Sequence, residues 1–249
     1  MKIFLLKYSN IIVYIASIAS IGGLIVTISS NKNAVIIALF FFCLTLTIIF
    51  IYTLMVLAKY NNIEYPEKYR VISNYTKYET NDGQNIIFES FRVIQAKCPI
   101  LNGIDYHFKW SGSKMPKITS NLQEVEKIVD SPEDYYDFAQ LKFKKSLLFN
   151  DTCIVHLFCE MDDVDNKSQP FVENKVAIPL DFIHYRIILR HKDSNFKKNA
   201  IISRKKIDAQ MSSQYKNIGS IPFDVNSKSY EYQLLTPETG YYYRIEWEK

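Results

Sequence analysis

The sequence predicts a membrane-anchored all-β protein: a two-helix transmembrane hairpin followed by a compact antiparallel β-barrel or β-sandwich of about seven or eight strands. Three observations predict it. Two long uncharged runs stand side by side near the N-terminus. Charge is confined almost entirely to the residues after them, with only Lys2, Lys7 and Lys32 standing before Lys59. The remainder alternates apolar and polar residues with a period of two, the period of strands.

The first uncharged run extends for 24 residues from Tyr8 to Asn31, the second for 26 from Asn33 to Ala58. A hydrocarbon core of about 30 Å needs about 20 helical residues, and neither run contains proline. The second is the more apolar, with 16 Ile, Leu, Val or Phe residues between Val35 and Leu57 against ten between Ile11 and Ile28. Helices are expected at about 9–30 and 34–58, within a membrane unit 1–58. A cleaved signal peptide would need a shorter apolar run than the first one, about 7–15 residues. Lys2 and Lys7 precede the pair, and Lys59, Lys68 and Arg70 come after it, while the short turn holds only Lys32. The positive-inside bias therefore places both termini in the cytoplasm. Four cysteines without a framework spacing suit a reducing compartment.

Residues 59–84, polar and broken by Pro66, read as a linker into a β-rich domain at 85–249. Within that domain, Tyr241, Tyr243, Ile245 and Trp247 oppose Tyr242, Arg244, Glu246 and Glu248. Ser229 to Leu235 is expected to pair with this last strand across the turn 236–240. Ile104, Tyr106, Phe108 and Trp110 alternate with polar residues, as do Cys153 to Met161 and Ile183 to Leu189. Further strands are expected near 86–96, 136–148, 171–179 and 199–207, and a short helix over Asn121–Ile128. Periodicity alone does not separate barrel from sandwich.

Enzyme signatures are missing. The chain has seven glycines and no phosphate loop, nucleophile elbow or zinc-protease helix. His107, His156, His184 and His191 have no metal-ligand spacing. The run Asp162, Asp163, Asp165 lacks the glycine and the twelfth-position Glu of a calcium loop. No catalytic, metal or cofactor-binding residues are therefore assigned.

Between His184 and Lys206 the chain concentrates Arg186, Arg190, Lys192, Lys197, Lys198, Arg204, Lys205 and Lys206 against a single acid, Asp193. Three readings stay open. Arg186, Arg190, Arg204 and Lys205, with the Tyr185 ring, can hold the phosphates and bases of a nucleotide. The strip can face anionic headgroups. It can also be a charge-protected strand edge. On the first helix, Ala16, Ser20, Gly23 and Thr27 fall on one small-residue face, suited to packing on a hairpin partner or on another copy.

Two membrane helices, a short turn and a strand-rich remainder ending in Tyr241-Tyr242-Tyr243-Arg244-Ile245-Glu246-Trp247 together resemble the two-transmembrane, β-strand-rich effectors associated with CD-NTases in bacterial anti-phage defence. The resemblance implies a cytoplasmic β-barrel that binds a cyclic di- or oligonucleotide made by a neighbouring cyclase. It also implies a homo-oligomer in the bacterial inner membrane whose helices disrupt the bilayer, with no DNA or RNA duplex as partner. A membrane-tethered scaffold or protein-partner sensor is the competing class. From the loop charges, a reporter fused after Lys249 is expected to read as cytoplasmic, and a tag inserted at Lys32 to be labelled from outside; an exported C-terminal domain would overturn this topology.

Overall fold

The computed structural model describes Gly23 and residues 32–112, 114–130, 136–208 and 214–249. They form two units, one ending at Glu64 and one running from Tyr65 to Lys249. Helix α1, Lys32–Glu64, spans 33 residues, about 50 Å at 1.5 Å per residue. It is apolar around its whole circumference, with Phe40 and Met55 each 66% exposed, and its mean hydropathy reaches 2.8. It is thus long and apolar enough to cross a bilayer. The hydroxyls of Thr45, Thr47 and Thr53 donate back to the carbonyls of Phe41, Cys43 and Ile49 at 2.8–2.9 Å. These three hydroxyls are thereby satisfied within the helix, the condition under which polar groups are tolerated in lipid. Pro66, two residues past its end, prevents continuation.

The β unit has three open sheets. The large sheet orders its strands β12-β9-β1-β2-β7-β4, where β1 is Tyr69–Thr80, β2 Asn85–Ala96, β4 Lys117–Thr119, β7 Thr152–Asp162, β9 Phe182–Leu189 and β12 Ser229–Leu235. A four-stranded sheet runs β11-β10-β13-β8, with β8 Phe171–Val176, β10 Ala200–Lys206, β11 Lys216–Ile221 and β13 Tyr241–Glu246. A three-stranded sheet runs β3-β6-β5, with β3 Ile100–Phe108, β5 Glu124–Val129 and β6 Asp137–Leu148. Among the described residues, pairings are antiparallel except for β1 with β9, which is parallel.

Both smaller sheets pack on the same face of the large one. Ile183, Tyr185 and Ile187 of β9 join Val172, Ile202, Tyr243 and Ile245 of the four-stranded sheet in one core. Ile94 of β2 and Val155 and Leu157 of β7 join Leu101, Tyr106, Ala139 and Leu141 of the three-stranded sheet in a second. Val71, Phe88 and Met161 touch both cores. Each fully buried Ile or Leu contributes about 1.5–3 kcal/mol. At Gly103 an added Cβ would lie 2.5 Å from the Leu141 carbonyl, so only glycine admits the close β3–β6 approach. Between the cores lies a buried polar seam. The Tyr106 hydroxyl donates to Ser90 Oγ at 2.8 Å, Ser90 to Asn74 Oδ1 at 3.2 Å, and Asn74 Nδ2 to Asn174 Oδ1 at 2.6 Å.

Several expectations need correction. The helix expected at about 9–30 lies outside the described residues except for Gly23, which is helical, so one long helix is described rather than a hairpin. The expected linker 59–84 holds the end of α1 and all of β1; inward-facing Asn74, Thr76 and Thr80 hide its period by putting polar residues on the buried face. The described residues form thirteen strands, not seven or eight, and their open edges make a sandwich with a divided second layer rather than a closed barrel. The helix expected over Asn121–Ile128 is replaced by β5, which pairs with β6. Strands β12 and β13 do not pair with each other, because residues 236–240 cross from one layer to the other. The Thr236 N–H binds Asp181 O beside the large sheet, and the Gly240 N–H, at φ +87°, binds Val176 O in the four-stranded one.

The β7–β8 connection is pinned by Asp163, whose side chain has no solvent exposure. It accepts hydrogen bonds from Lys249 Nζ at 2.7 Å, from the Ser168 N–H at 2.7 Å and from the Ser168 hydroxyl. Burial alone would raise its pKa, but these donors outweigh it and hold the carboxyl below its ordinary 3.8. A depressed pKa contributes stability above the unfolded value that is lost as pH falls through the folded one. Thermal melts of wild type are therefore expected to lose stability on acidification below pH 3.8, and Asp163→Asn to show a shallower slope there; identical slopes would overturn the assignment.

Candidate ligand-binding face

The basic strip read from the sequence does not stay together. Tyr185 is fully buried in the core and its hydroxyl donates to Tyr243 O at 2.8 Å, so its ring faces the core and not a ligand. Arg186 lies on the outer face of the large sheet, registered between Lys77 and Glu231, with its Nε buried and lacking a hydrogen-bond partner. Arg190 is exposed and donates through Nε to Glu79 at 2.6 Å. Lys77 and then Arg190 hold Glu79 below the usual carboxylate range. Arg204 stacks its guanidinium 4.4 Å from the Tyr241 ring and pairs with Glu238 at 2.7 Å. Lys205 alone of these reaches the outer face of the four-stranded sheet. The small-residue positions Ala16, Ser20 and Thr27 lie outside the described residues, while Gly23 has open space where a side chain would stand.

The two outer faces differ in charge. On the large sheet, Phe182, His184, Tyr75, Phe91 and His156 form a chain of ring contacts at 4.6–6.1 Å. Beside it, Lys77, Arg186 and Arg190 meet Glu79, Glu89 and Glu231, an even match. His184 pairs with Glu231 at 2.8 Å, and His156 with Glu89 at 3.1 Å while accepting the Asn121 N–H. That face offers an anion little net attraction.

The four-stranded sheet offers more. Tyr242 of β13 stands between Lys205 of β10 and Lys175 of β8, three side chains in one row across three strands. One alternation further along β13, the Arg244 guanidinium lies 3.8 Å from the Phe171 ring and 4.0 Å from that of Tyr215. Glu173 fixes this stack, accepting from Arg244 at 3.0 Å and from the Tyr215 hydroxyl. The Lys205 ammonium sits 5.7 Å from the Tyr215 ring. Tyr136 completes the aromatic set. Burial, and then its contact with Tyr242, push its hydroxyl pKa upward, so it stays a neutral donor. Burial and Glu173 do the same for Tyr215. Three cations thus face one carboxylate amid four rings, with Glu246 further along the strand. Ammonium groups supply point charges for phosphate oxygens, and rings supply stacking surfaces for bases.

Of this set only Lys205 is a site residue expected from the sequence. Lys175 of β8, Tyr215 just before β11, and Tyr242 and Arg244 of β13 are far apart in the chain, and the one signal for them in the sequence is the polar side of the terminal strand.

No family model and no curated protein matches the chain. Among solved structures it is similar to an M1 zinc metallopeptidase from Deinococcus radiodurans, at 8% identity and TM-score 0.39 over 72% of this chain and 42% of that one. It is also similar to baculovirus P35, at 9% identity and TM-score 0.36 over 74% and 99%. The chain thus spans less than half the length of the metallopeptidase.

The stack and the lysine row separate by stability. Arg244→Ala is expected to cost about 1–3 kcal/mol by breaking the ring sandwich and stranding Glu173, while Lys175→Ala stays within about 0.5 kcal/mol. Denaturant titration of both variants checks this; equal losses would mean that the row carries the fold.

Proposed function

We propose that this protein is a membrane-anchored effector of the kind associated with CD-NTases, whose cytoplasmic β domain binds a cyclic oligonucleotide on the outer face of the four-stranded sheet. The observation that carries this reading is the Lys175–Tyr242–Lys205 row beside the Arg244 ring stack. A cyclic oligonucleotide presents several phosphates and base faces within one small ring, which matches cations and aromatic rings alternating at strand spacing. Helix α1 supports the anchor by its length and apolarity. Ligand acts on the assembly only through different affinities for its states, so the reading couples domain association to close packing of the membrane helices, with disruption of the inner membrane as output. A tethered scaffold would share the anchor but lack both ligand and output.

Titration calorimetry of the full chain in lipid nanodiscs with a panel of cyclic di- and trinucleotides tests the first half. The double variant Lys175→Ala/Lys205→Ala is expected to bind at least about tenfold more weakly, as the loss of charge-assisted contacts requires. No binding by any panel member, or an unchanged double variant, would overturn it. For the second half, Gly23→Leu is expected to bind like wild type yet fail to depolarise cells, because leucine favours the bilayer but blocks close approach. If a chain lacking residues 1–58 kills as well as the full protein, membrane disruption is not the output.

A further inference from the structure

We infer that the β6–β7 turn, with Ile100 beside it, is a membrane-docking tip that sets apolar side chains into the headgroup layer of an anionic bilayer. The inference rests on the reading of α1 as a membrane span. Ile100, Leu148 and Phe149 are 60%, 58% and 54% exposed. Ile100 and Leu148 pair across β3 and β6, and Phe149 comes next in the turn. Tight turns normally carry polar residues or glycine. Phe149 in the turn, with Leu148 ending β6 and Ile100 paired to it from β3, makes an apolar group distinct from the scattered apolar residues that any surface carries.

The turn presents these side chains on a fixed backbone. Asn150 takes φ +68° and its N–H binds Ala96 O at 2.9 Å. The Asp151 N–H binds Leu148 O, and the Asp151 carboxylate accepts the Leu148 N–H, each at 2.9 Å.

Its place in the β unit is the second argument. Ala96 pairs with Tyr69, and the Lys97 N–H binds Lys68 O at 2.8 Å, so the turn stands beside the residues that open the unit. The Lys97 ammonium is 5.7 Å from the Tyr65 ring and 5.8 Å from that of Phe149, tying the two together. Tyr65 is joined to the last residue of α1 by one peptide bond. From Ala58, where the uncharged run ends, seven residues of helix rise about 10 Å, close to the depth of one headgroup layer, about 5–8 Å. The chain therefore leaves the bilayer near the outer margin of the headgroups and enters the β unit at Tyr65, the residue whose ring shares the Lys97 ammonium with Phe149.

Charge agrees. Lys68 and Lys97 stand at this end, joined from Lys97 N–H to Lys68 O, with the Lys97 ammonium donating to Asn150 Oδ1 at 2.9 Å. Lys144 and Lys145 precede Leu148 in β6. Lysine stems lie along apolar groups while free ammonium ends reach lipid phosphates. Of the acids nearby, Asp151 caps the turn and Asp181 holds Arg70 at 2.5 Å.

The test uses the full chain in vesicles of acyl-brominated phosphatidylcholine with about 30% phosphatidylglycerol, an anionic surface comparable to a bacterial one. Bromine quenches only tryptophans that enter the bilayer, and Trp110 and Trp247 supply the background. Phe149→Trp is expected to be quenched beyond wild type, and less so when phosphatidylglycerol is omitted or when Lys144→Glu/Lys145→Glu is added. Tyr52→Trp reports α1 itself. Quenching at Tyr52→Trp without quenching at Phe149→Trp would overturn the docking tip and leave the anchor standing. No quenching at either would overturn both. Equal Phe149→Trp quenching with and without the anionic lipid would overturn the electrostatic part.

Discussion

The structure depends on one sheet face having to satisfy two kinds of neighbour at once. The inner face of the six-stranded sheet carries Ile183, Tyr185 and Ile187 toward one partner sheet and Ile94, Val155 and Leu157 toward another. Between them Asn74 and Ser90 are buried and polar. Buried amides and hydroxyls must find partners, and these find them in Tyr106 of the three-stranded sheet and Asn174 of the four-stranded one. The seam therefore sets the position of both second-layer sheets. A continuous apolar face would let either sheet slide with little penalty; directional bonds do not.

With the inner faces fixed, the outer faces are free to diverge. The large sheet matches its charges locally, and its rings touch one another in sequence across the strands. The four-stranded sheet uses its one well-placed carboxylate, Glu173, to hold Arg244 between two rings. The lysine–tyrosine–lysine row beside that stack is what distinguishes this face chemically, and it arises only because β8, β10 and β13 are adjacent.

The division into an apolar helix and a β-rich remainder was legible, as were most longer strands: β2, β6, β7, β9, β10 and β12 lie within a residue or two of their expected spans. Strands whose inward positions are polar were not, and β1 is the clearest case, since Asn74, Thr76 and Thr80 face inward. Three-residue β4 gives too few alternations to register, and β5 and β11 are mostly exposed, so neither carries an apolar stripe. The binding face was hardly legible. Proximity in sequence suggested that Arg186, Arg190 and Arg204 act together, but β9 and β10 belong to different layers. Tyr185 failed for a related reason: alternation correctly put it on the apolar side of its strand, and that side is the core.

The parallel pairing of β1 with β9 has a consequence for how the protein is made. The first strand after α1 aligns Ser73 to Thr80 with Phe182 to Leu189, more than a hundred residues later. The β1–β2 hairpin can close early, but one edge of β1 stays open until most of the domain has been synthesised. Contacts of such sequence separation carry a large loop-closure cost and slow folding. If α1 entered a bilayer first, as its length and apolarity allow, it would tether that open edge during the wait, away from the open strands of other half-made chains with which it would otherwise pair.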